Sequence, residues 1–182
     1  MNCLQDVYFT NLNAVFVTGG FFRCGNSDVW ETQKHSFDQN KFYCLTKGEC
    51  SITINDKKYL AKAGDWFFIP ADTSHSYANS SGAFEKYWLH CDFYPDKNLF
   101  SLLNMPYFVR YDRSSKVIDL FEEITRLSNS SLLSDKITIK AHLLELLAEY
   151  VRLALPNDIS IAKSDYFSEI LRYINENVQD TF

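Results

Sequence analysis

A chain of 182 residues, 46% hydrophobic and 16% aromatic with 15 Phe and 11 Tyr, holds enough apolar mass for one well-buried domain plus a small appendage. That composition excludes a disordered chain. A formal charge of −5 and no cluster of Lys and Arg argue against this chain wrapping nucleic acid itself, because neutralising phosphates takes clustered cations.

From Ala14 to about Arg110 short apolar runs alternate with turn residues, which predicts an all-β region. The runs are Ala14–Val17, Phe21–Cys24, Val29–His35, Phe42–Lys47, Cys50–Ile54, Lys58–Leu60, Trp66–Ile69, His75–Asn79, Phe84–Phe93 and Tyr107–Arg110. Lys47-Gly48-Glu49 and Asn55-Asp56 read as tight hairpin turns. Ten short strands with short connections predict a barrel or sandwich.

After Tyr111 the spacing becomes helical. Val117, Leu120, Phe121, Ile124 and Leu127 recur at steps of three and four behind Ser114 or Ser115 as N-cap. A second helix is expected from Asp135 to Leu155, stopped by Pro156. Its polar residues Thr138, His142, Glu145, Glu149 and Arg152 make one narrow stripe, and most of the remainder is apolar. That is more apolar surface than one packing face needs, so a second partner surface is expected. Residues 156–164 read as a linker, and Asp165–Val178 as a third, shorter helix with Phe167, Ile170, Leu171 and Ile174 on one side. Alone in water such a helix is marginal.

The five cysteines, Cys3, Cys24, Cys44, Cys50 and Cys91, form no Cys-x-x-Cys and follow no secretory leader, which places the chain in a reducing cytoplasm. Cys44, Cys50 and Cys91 are expected as small core residues of strands. No apolar run approaches the roughly 20 residues that cross a bilayer.

Residues 64–79, Gly64-Asp65-Trp66-Phe67-Phe68-Ile69-Pro70-Ala71-Asp72-Thr73-Ser74-His75-Ser76-Tyr77-Ala78-Asn79, resemble the second motif of cupin β-barrels, with Asp72 where a glycine is usual. Asp also serves in turns, so the loop is expected to survive. Metal-dependent cupins carry His-x-His and then Glu ahead of an earlier turn glycine. Here, ahead of Gly48, those positions read His35, Phe37 and Lys41. With only His35 and His75 as donors and an ammonium in place of a carboxylate, neither a metal site nor a cofactor is expected.

Three blocks in order carry a wider resemblance: Tyr43-Cys44-Leu45-Thr46-Lys47-Gly48-Glu49, the Gly64–Tyr77 motif, and Tyr87-Trp88-Leu89-His90-Cys91-Asp92-Phe93. With the stretch from Tyr166 to Asn177, they resemble the regulatory part of AraC/XylS-type transcription regulators. The resemblance implies a mainly β α+β chain. It has a cupin-like double-stranded β-helix barrel, two packed C-terminal helices and the first helix of a truncated helix-turn-helix domain. The implied divisions are an N-terminal arm at 1–13, a sensor barrel at 14–111, a helical dimerisation subdomain at 112–156, and at 157–182 a linker with the first helix of an otherwise absent DNA-binding domain. The implied function is non-enzymatic: sensing a small molecule, a sugar or sugar acid, and dimerising, with DNA bound only through the absent domain. The alternatives are a small metal-dependent cupin enzyme, an isomerase or dioxygenase, and a module that only dimerises and has an empty or collapsed barrel, which the lack of a cavity of at least a few hundred Å³ would favour.

Alternate residues of a strand share a face, so Lys86, Trp88, His90 and Asp92 lie opposite Tyr87, Leu89, Cys91 and Phe93. Composition alone puts the second set inside the barrel. The resemblance implies instead that Trp88 stacks on the effector, Tyr77 bonds to it and Lys86 lines the pocket, both faces being buried. His35 matches a polar pocket position, and Lys86 favours an acidic ligand. His75 reads either as a structural histidine across the barrel mouth or as a ligand contact. His90 is expected as packing beneath the helices, His142 on a solvated stripe, and Trp30 and Trp66 as core or rim aromatics. Residues 1–13 read either as an arm over the effector or as a plain terminus. Leu143, Leu147, Tyr150 and Val151 are the expected dimer contacts.

Overall fold

The computed structural model of the protein describes residues 10–79, 82–95, 97, 100, 105–112, 116–155 and 172. Eight strands are found among them: β1 (Asn13–Cys24), β2 (Asn40–Lys47), β3 (Glu49–Ile54), β4 (Lys57–Lys62), β5 (Asp65–Ile69), β6 (His75–Asn79), β7 (Phe84–Tyr94) and β8 (Phe108–Arg110). Two helices follow, α1 (Val117–Leu127) and α2 (Leu133–Ala154). The strands form two antiparallel sheets of order β1-β7-β2-β5-β8 and β4-β3-β6. The fold is mainly β, two antiparallel sheets with two helices after them; among the described residues the sheets stay separate and the expected barrel is not closed.

The larger sheet is buried on both faces. One face, with Tyr43, Leu45, Phe67, Ile69 and Phe84, packs on Cys50, Ile52, Ile54 and Tyr77 of the smaller sheet. The other, with Phe42, Cys44, Trp66, Phe68, Leu89, Cys91 and Phe93, packs on α1 and α2. A sheet covered on both sides must be apolar on both, which is why β2 and β5 read as continuous apolar runs rather than alternating ones.

Two turns account for the hairpin signals. Asn55 and Asp56 both have positive φ (47° and 64°), the geometry a two-residue hairpin requires. Asp72, standing where cupins carry glycine, also has positive φ (59°), and its N–H donates to Phe37 O at 2.7 Å.

Three strand expectations are corrected. Ala14–Val17 and Phe21–Cys24 are one strand, running through Gly19-Gly20. A Cβ on Gly19 would lie 2.5 Å from Leu89 Cδ2 and 2.8 Å from Trp88 O, so glycine lets β1 approach β7 closely without ending the strand. Residues Val29–His35 form no regular strand, only bridges of Glu31 to Ala78 and His35 to His75. Side chains replace part of the ladder there: Thr32 Oγ1 accepts from Tyr77 N at 3.1 Å and Asn79 Oδ1 from Trp30 N at 3.3 Å. The strand expected from Tyr107 begins at Phe108.

The helical spacing of α1 is fulfilled: Val117, Leu120, Phe121, Ile124 and Leu127 are all buried. Its N-cap position is Lys116, without a side-chain cap; Ser114 and Ser115 lie outside the described residues. α2 begins two residues before the expected Asp135 and buries Ile139, Leu143, Leu146, Leu147 and Tyr150. Leu133 (76% exposed) and Ile137 (59%) face solvent. Of the expected arm at 1–13, residues 1–9 lie outside the described residues, as does the helix at Asp165–Val178 but for residue 172, and Asn13 opens β1. None of the described helices is long and apolar enough to cross a membrane.

Candidate functional site

Between the sheets, strands β2, β6 and β7 bring together polar groups that an apolar core would not contain. Lys41 (1% exposed) and Lys86 (4%) are both buried, as are Tyr43, His75 and Tyr77. Register explains the convergence. Lys41 and Tyr43 share the inward face of β2, His75 and Tyr77 that of β6, and Lys86, Trp88 and His90 that of β7. In the β2–β7 ladder Lys41 is opposite His90, and Tyr43 opposite Trp88.

A hydrogen-bonded chain links the first four groups. Lys41 Nζ lies 2.6 Å from His75 Nε2 and donates to Tyr77 OH at 3.3 Å. Tyr77 OH is 3.0 Å from His75 Nε2 and 2.8 Å from Tyr43 OH. His75 Nδ1 is 2.7 Å from Thr73 O, which only accepts. Nδ1 therefore carries the proton, and Nε2 is the acceptor for the lysine. Burial pushes His75 down to about 4, with Lys41, His35 and His90 adding to the effect against the Thr73 bond, so its ring is neutral at pH 7.

Lys86 has a different environment. Its Nζ sits 4.0 Å from the ring centre of Tyr43 and 4.1 Å from that of Trp30, with Tyr77 at 5.3 Å and Phe22 at 5.7 Å. Trp30 and Tyr77 stack at 4.7 Å and 18°. This is an aromatic cage whose cation is the protein's own ammonium. Lys41 Nζ likewise lies 3.6 Å over the ring of Phe37. Burial pushes both lysines down to about 7.

The expected ligand residues His35, His75, Tyr77, Lys86 and Trp88 all lie on this side of the larger sheet. His35 packs against His75 at 4.4 Å and against Tyr77 at 5.5 Å between ring centres. Trp88 is half-buried and borders the cluster, 5.3 Å from His90. The two-faced reading of residues 84–93 describes the structure: Tyr87, Leu89, Cys91 and Phe93 turn to the helices. The placement of His90 beneath the helices is overturned, since it packs on Phe37 and Trp88 on the opposite face. His142 is half-buried rather than solvated, its Nδ1 3.6 Å from Glu145 Oε2. Trp66 is a core residue under α2, as expected of a plain aromatic.

Sequence reasoning missed Trp30, Tyr43 and Lys41 as members of the cluster. Trp30 sits in the segment without regular register, where alternation says nothing. Lys41 carried a usable signal, a lysine inside an apolar strand run, and was noted only as a failed metal ligand. The donor set does not suit a metal: the one free nitrogen of His75 is taken by Lys41 Nζ, at the position where metal-binding cupins carry a carboxylate. No group of three or more possible ligands exists among the described residues.

The expected dimer residues are used within the chain. Leu143, Leu147 and Tyr150 are buried, Val151 is half-buried against the same core, and Tyr150 OH donates to Pro106 O at 2.7 Å. A surface cleft of about 740 Å³ lies away from the polar cluster, lined by Tyr59, Leu60, Tyr107, Phe108 and Arg110 among others. It gathers no comparable set of buried titratable groups.

Residues 23–147 match a protein family described as AraC-like ligand binding domain. An uncharacterised HTH-type transcriptional regulator of Haemophilus influenzae is 36% identical over 56 residues, 30% of this chain and 19% of that protein. The matched stretch thus spans about a fifth of that relative. Among solved structures, a cupin protein from Bacteroides fragilis is similar at 24% identity over 41% of this chain and 66% of its own, with a TM-score of 0.35. A cupin superfamily protein from Desulfitobacterium hafniense is similar at 19% identity over 44% of this chain and 76% of its own, also with a TM-score of 0.35.

Proposed function

The chain belongs to the family of AraC-like ligand-binding domains, and from that premise we propose that it is the effector-sensing and dimerising part of a transcription regulator, receiving a sugar or sugar-like polar ligand between its two sheets. The observation that carries this reading is the buried Lys41–His75–Tyr77–Tyr43 chain beside the Lys86 cage. Polar groups of this number are costly in a core that only has to pack, and they supply the donors and flat rings that a polar ring-shaped ligand needs.

The mechanism is linkage. A ligand that binds one arrangement of the sensor more tightly than another shifts the balance between them, and by the same free energy shifts how attached DNA-binding units sit on their half-sites. In this reading residues 157–182 connect the sensor to such a unit. The chain itself performs no catalysis, and its place is the cytoplasm.

The dimer contacts belong on the outward side of α2. Leu133, Ile137, Ala141, Leu144 and Ala148 recur there at steps of three and four, and all but the half-buried Leu144 are exposed.

A thermal-shift screen of sugars tests the sensor reading, because a ligand of the native state raises its melting temperature by mass action. The Trp88→Ala variant is expected to stay folded and to lose roughly two- to tenfold in affinity for any hit, given the worth of one stacked ring, about 0.5–1.5 kcal/mol. Equal affinities by calorimetry remove Trp88 from the site.

A further inference from the structure

We propose that Lys41 and Lys86 form a two-lysine subsite for the carboxylate of the effector, so that the pocket takes a small organic acid of the sugar-acid kind in preference to the neutral sugar. The inference rests on the sensor reading above and names the ligand class for that site.

Charge placement carries the argument. The chain has 23 acidic residues against 18 lysines and arginines, yet Lys41 and Lys86 gather between the sheets with three of the four histidines, His35, His75 and His90. The lysines found in ion pairs are Lys34, Lys47, Lys97 and Lys116, all at least one-third exposed. Among the described residues neither Lys41 nor Lys86 pairs with a carboxylate. An ammonium buried without an anion costs several kcal/mol even after relaxation, and an apolar side chain of similar length would pack there without that cost. Ring faces and neutral hydrogen-bond partners offset the cost in part, and a carboxylate supplied by a ligand offsets it more fully.

The groups around the pair suit an acid. Tyr43 and Tyr77 keep their hydroxyl protons, since burial raises both phenols, Tyr77 to about 12. Either is thus a hydrogen-bond donor. Cys50 and Cys24, the thiols facing this core from β3 and β1, are also held protonated by burial. Trp88, half-buried at the border of the cluster, offers a ring face for the body of the molecule, while Trp30 and Tyr77 are stacked on each other. The Lys86 ammonium rests on ring faces, so an arriving anion has only weak contacts to displace.

Binding also carries a proton signature. Burial lowers both lysines to about 7, and a neighbouring carboxylate favours their charged forms again, so a bound acid is accompanied by proton uptake. His75 and His90, lowered to about 4, stay neutral in this range. Sugar acids are fully ionised above pH 6, so a pH dependence there comes from the protein.

The test is isothermal titration calorimetry of the 182-residue chain with two matched pairs, glucose against glucuronate and galactose against galacturonate, at pH 6.5 and 8.5. The expected result is at least one acid binding tenfold or more tightly than its neutral partner and losing roughly tenfold or more between pH 6.5 and 8.5. Lys41→Met and Lys86→Met should each abolish that preference while keeping the native circular dichroism. A neutral sugar binding as tightly as its acid overturns this inference and leaves the sensor reading standing, as does an acid whose affinity ignores both substitutions. Failure of all four compounds to bind overturns both. The wild-type pairs decide the matter even if a variant fails to fold.

Discussion

Lys86 and Lys41 set the behaviour of the ligand-free protein with pH. Each has a pKa near 7 when folded against an ordinary value of 10.5, so between those values the unfolded chain binds more protons than the folded one. Stability therefore rises with pH from 7 toward 9. His75 and His90, lowered to about 4 from 6.5, act with the same sign, and their contribution is lost as pH falls from 6.5 to 4. Above about 9 the buried thiols oppose the trend: Cys44 and Cys50 are pushed up to about 12, so there the unfolded chain loses thiol protons first. Urea unfolding at pH 6, 7.5 and 9 should show this rise, and Lys86→Met should flatten it while raising stability at pH 6. A wild-type curve that is flat or falling from pH 6 to 9 contradicts the burial of the two ammonium groups. Two glycines one residue apart give a second residue-scale test. Gly19→Ala drives a Cβ against the backbone of Trp88 and should cost ~1–3 kcal/mol, whereas at Gly20 the nearest atom is Trp88 Nε1 at 3.4 Å and the cost should be under ~1 kcal/mol. Similar melting temperatures for the two variants would show that β1 can move away from β7.

At the scale of elements, α2 separates two roles that its sequence mixes. Tyr150, Leu147, Leu146, Leu143 and Ile139 face the sheet and α1, while Ile137, Ala141 and Ala148 face outward. Leu143→Ala should destabilise the fold by ~2–5 kcal/mol through the cavity it leaves, in urea titrations of the isolated chain. Ile137→Glu should leave that stability within ~0.5 kcal/mol and instead reduce self-association in sedimentation velocity. A variant that sediments as the parent does would move the dimer face elsewhere. The spacing of α2 shows that the helix has too much apolar surface for one partner. Which part of that surface the chain itself uses was not legible, because a helix apolar over most of its circumference has no unique inward direction. α1, with a single stripe, was readable to the residue. Strand β7 is the intermediate case. Alternation sorted Lys86, Trp88 and His90 from Leu89, Cys91 and Phe93, but with both faces buried composition pointed the wrong way about which set lies between the sheets.

For the whole molecule, the larger sheet is a shared wall with two cores, an aromatic one under the helices and a polar-centred one between the sheets. Tyr150 anchors the first: its ring meets Trp66 at 5.0 Å, Phe42 and Phe100 at 5.6 Å and Phe68 at 6.0 Å. Tyr150→Ala should cost ~3–5 kcal/mol and Tyr150→Phe only ~1 kcal/mol, the worth of the bond to Pro106, as measured by urea unfolding. The sheet stands between this residue and the lysine pair, so Tyr150→Phe removes no ligand contact and its effect on affinity reads only the coupling across the sheet. A shift in affinity would mean that the helices and the pocket are coupled through the sheet, as a transmitting sensor requires.

The amino-acid sequence by itself determined a mainly β chain followed by two helices, the order of the strands that form, and the hairpin turn at Asn55-Asp56; these rest on local spacing, period two in strands and three to four in helices, and on residues that tolerate left-handed backbone. His35, His75, Tyr77, Lys86 and Trp88 were singled out through the resemblance to AraC/XylS-type regulators rather than by spacing. The tertiary structure decided what spacing cannot encode. It brought Lys41 of β2 and Lys86 of β7 into one uncompensated basic cluster, drew Trp30 into it from a segment without regular register, and turned Leu143 and Tyr150 inward. Each outcome depends on which surfaces meet across the sheets, and that is fixed by pairing between residues tens of positions apart.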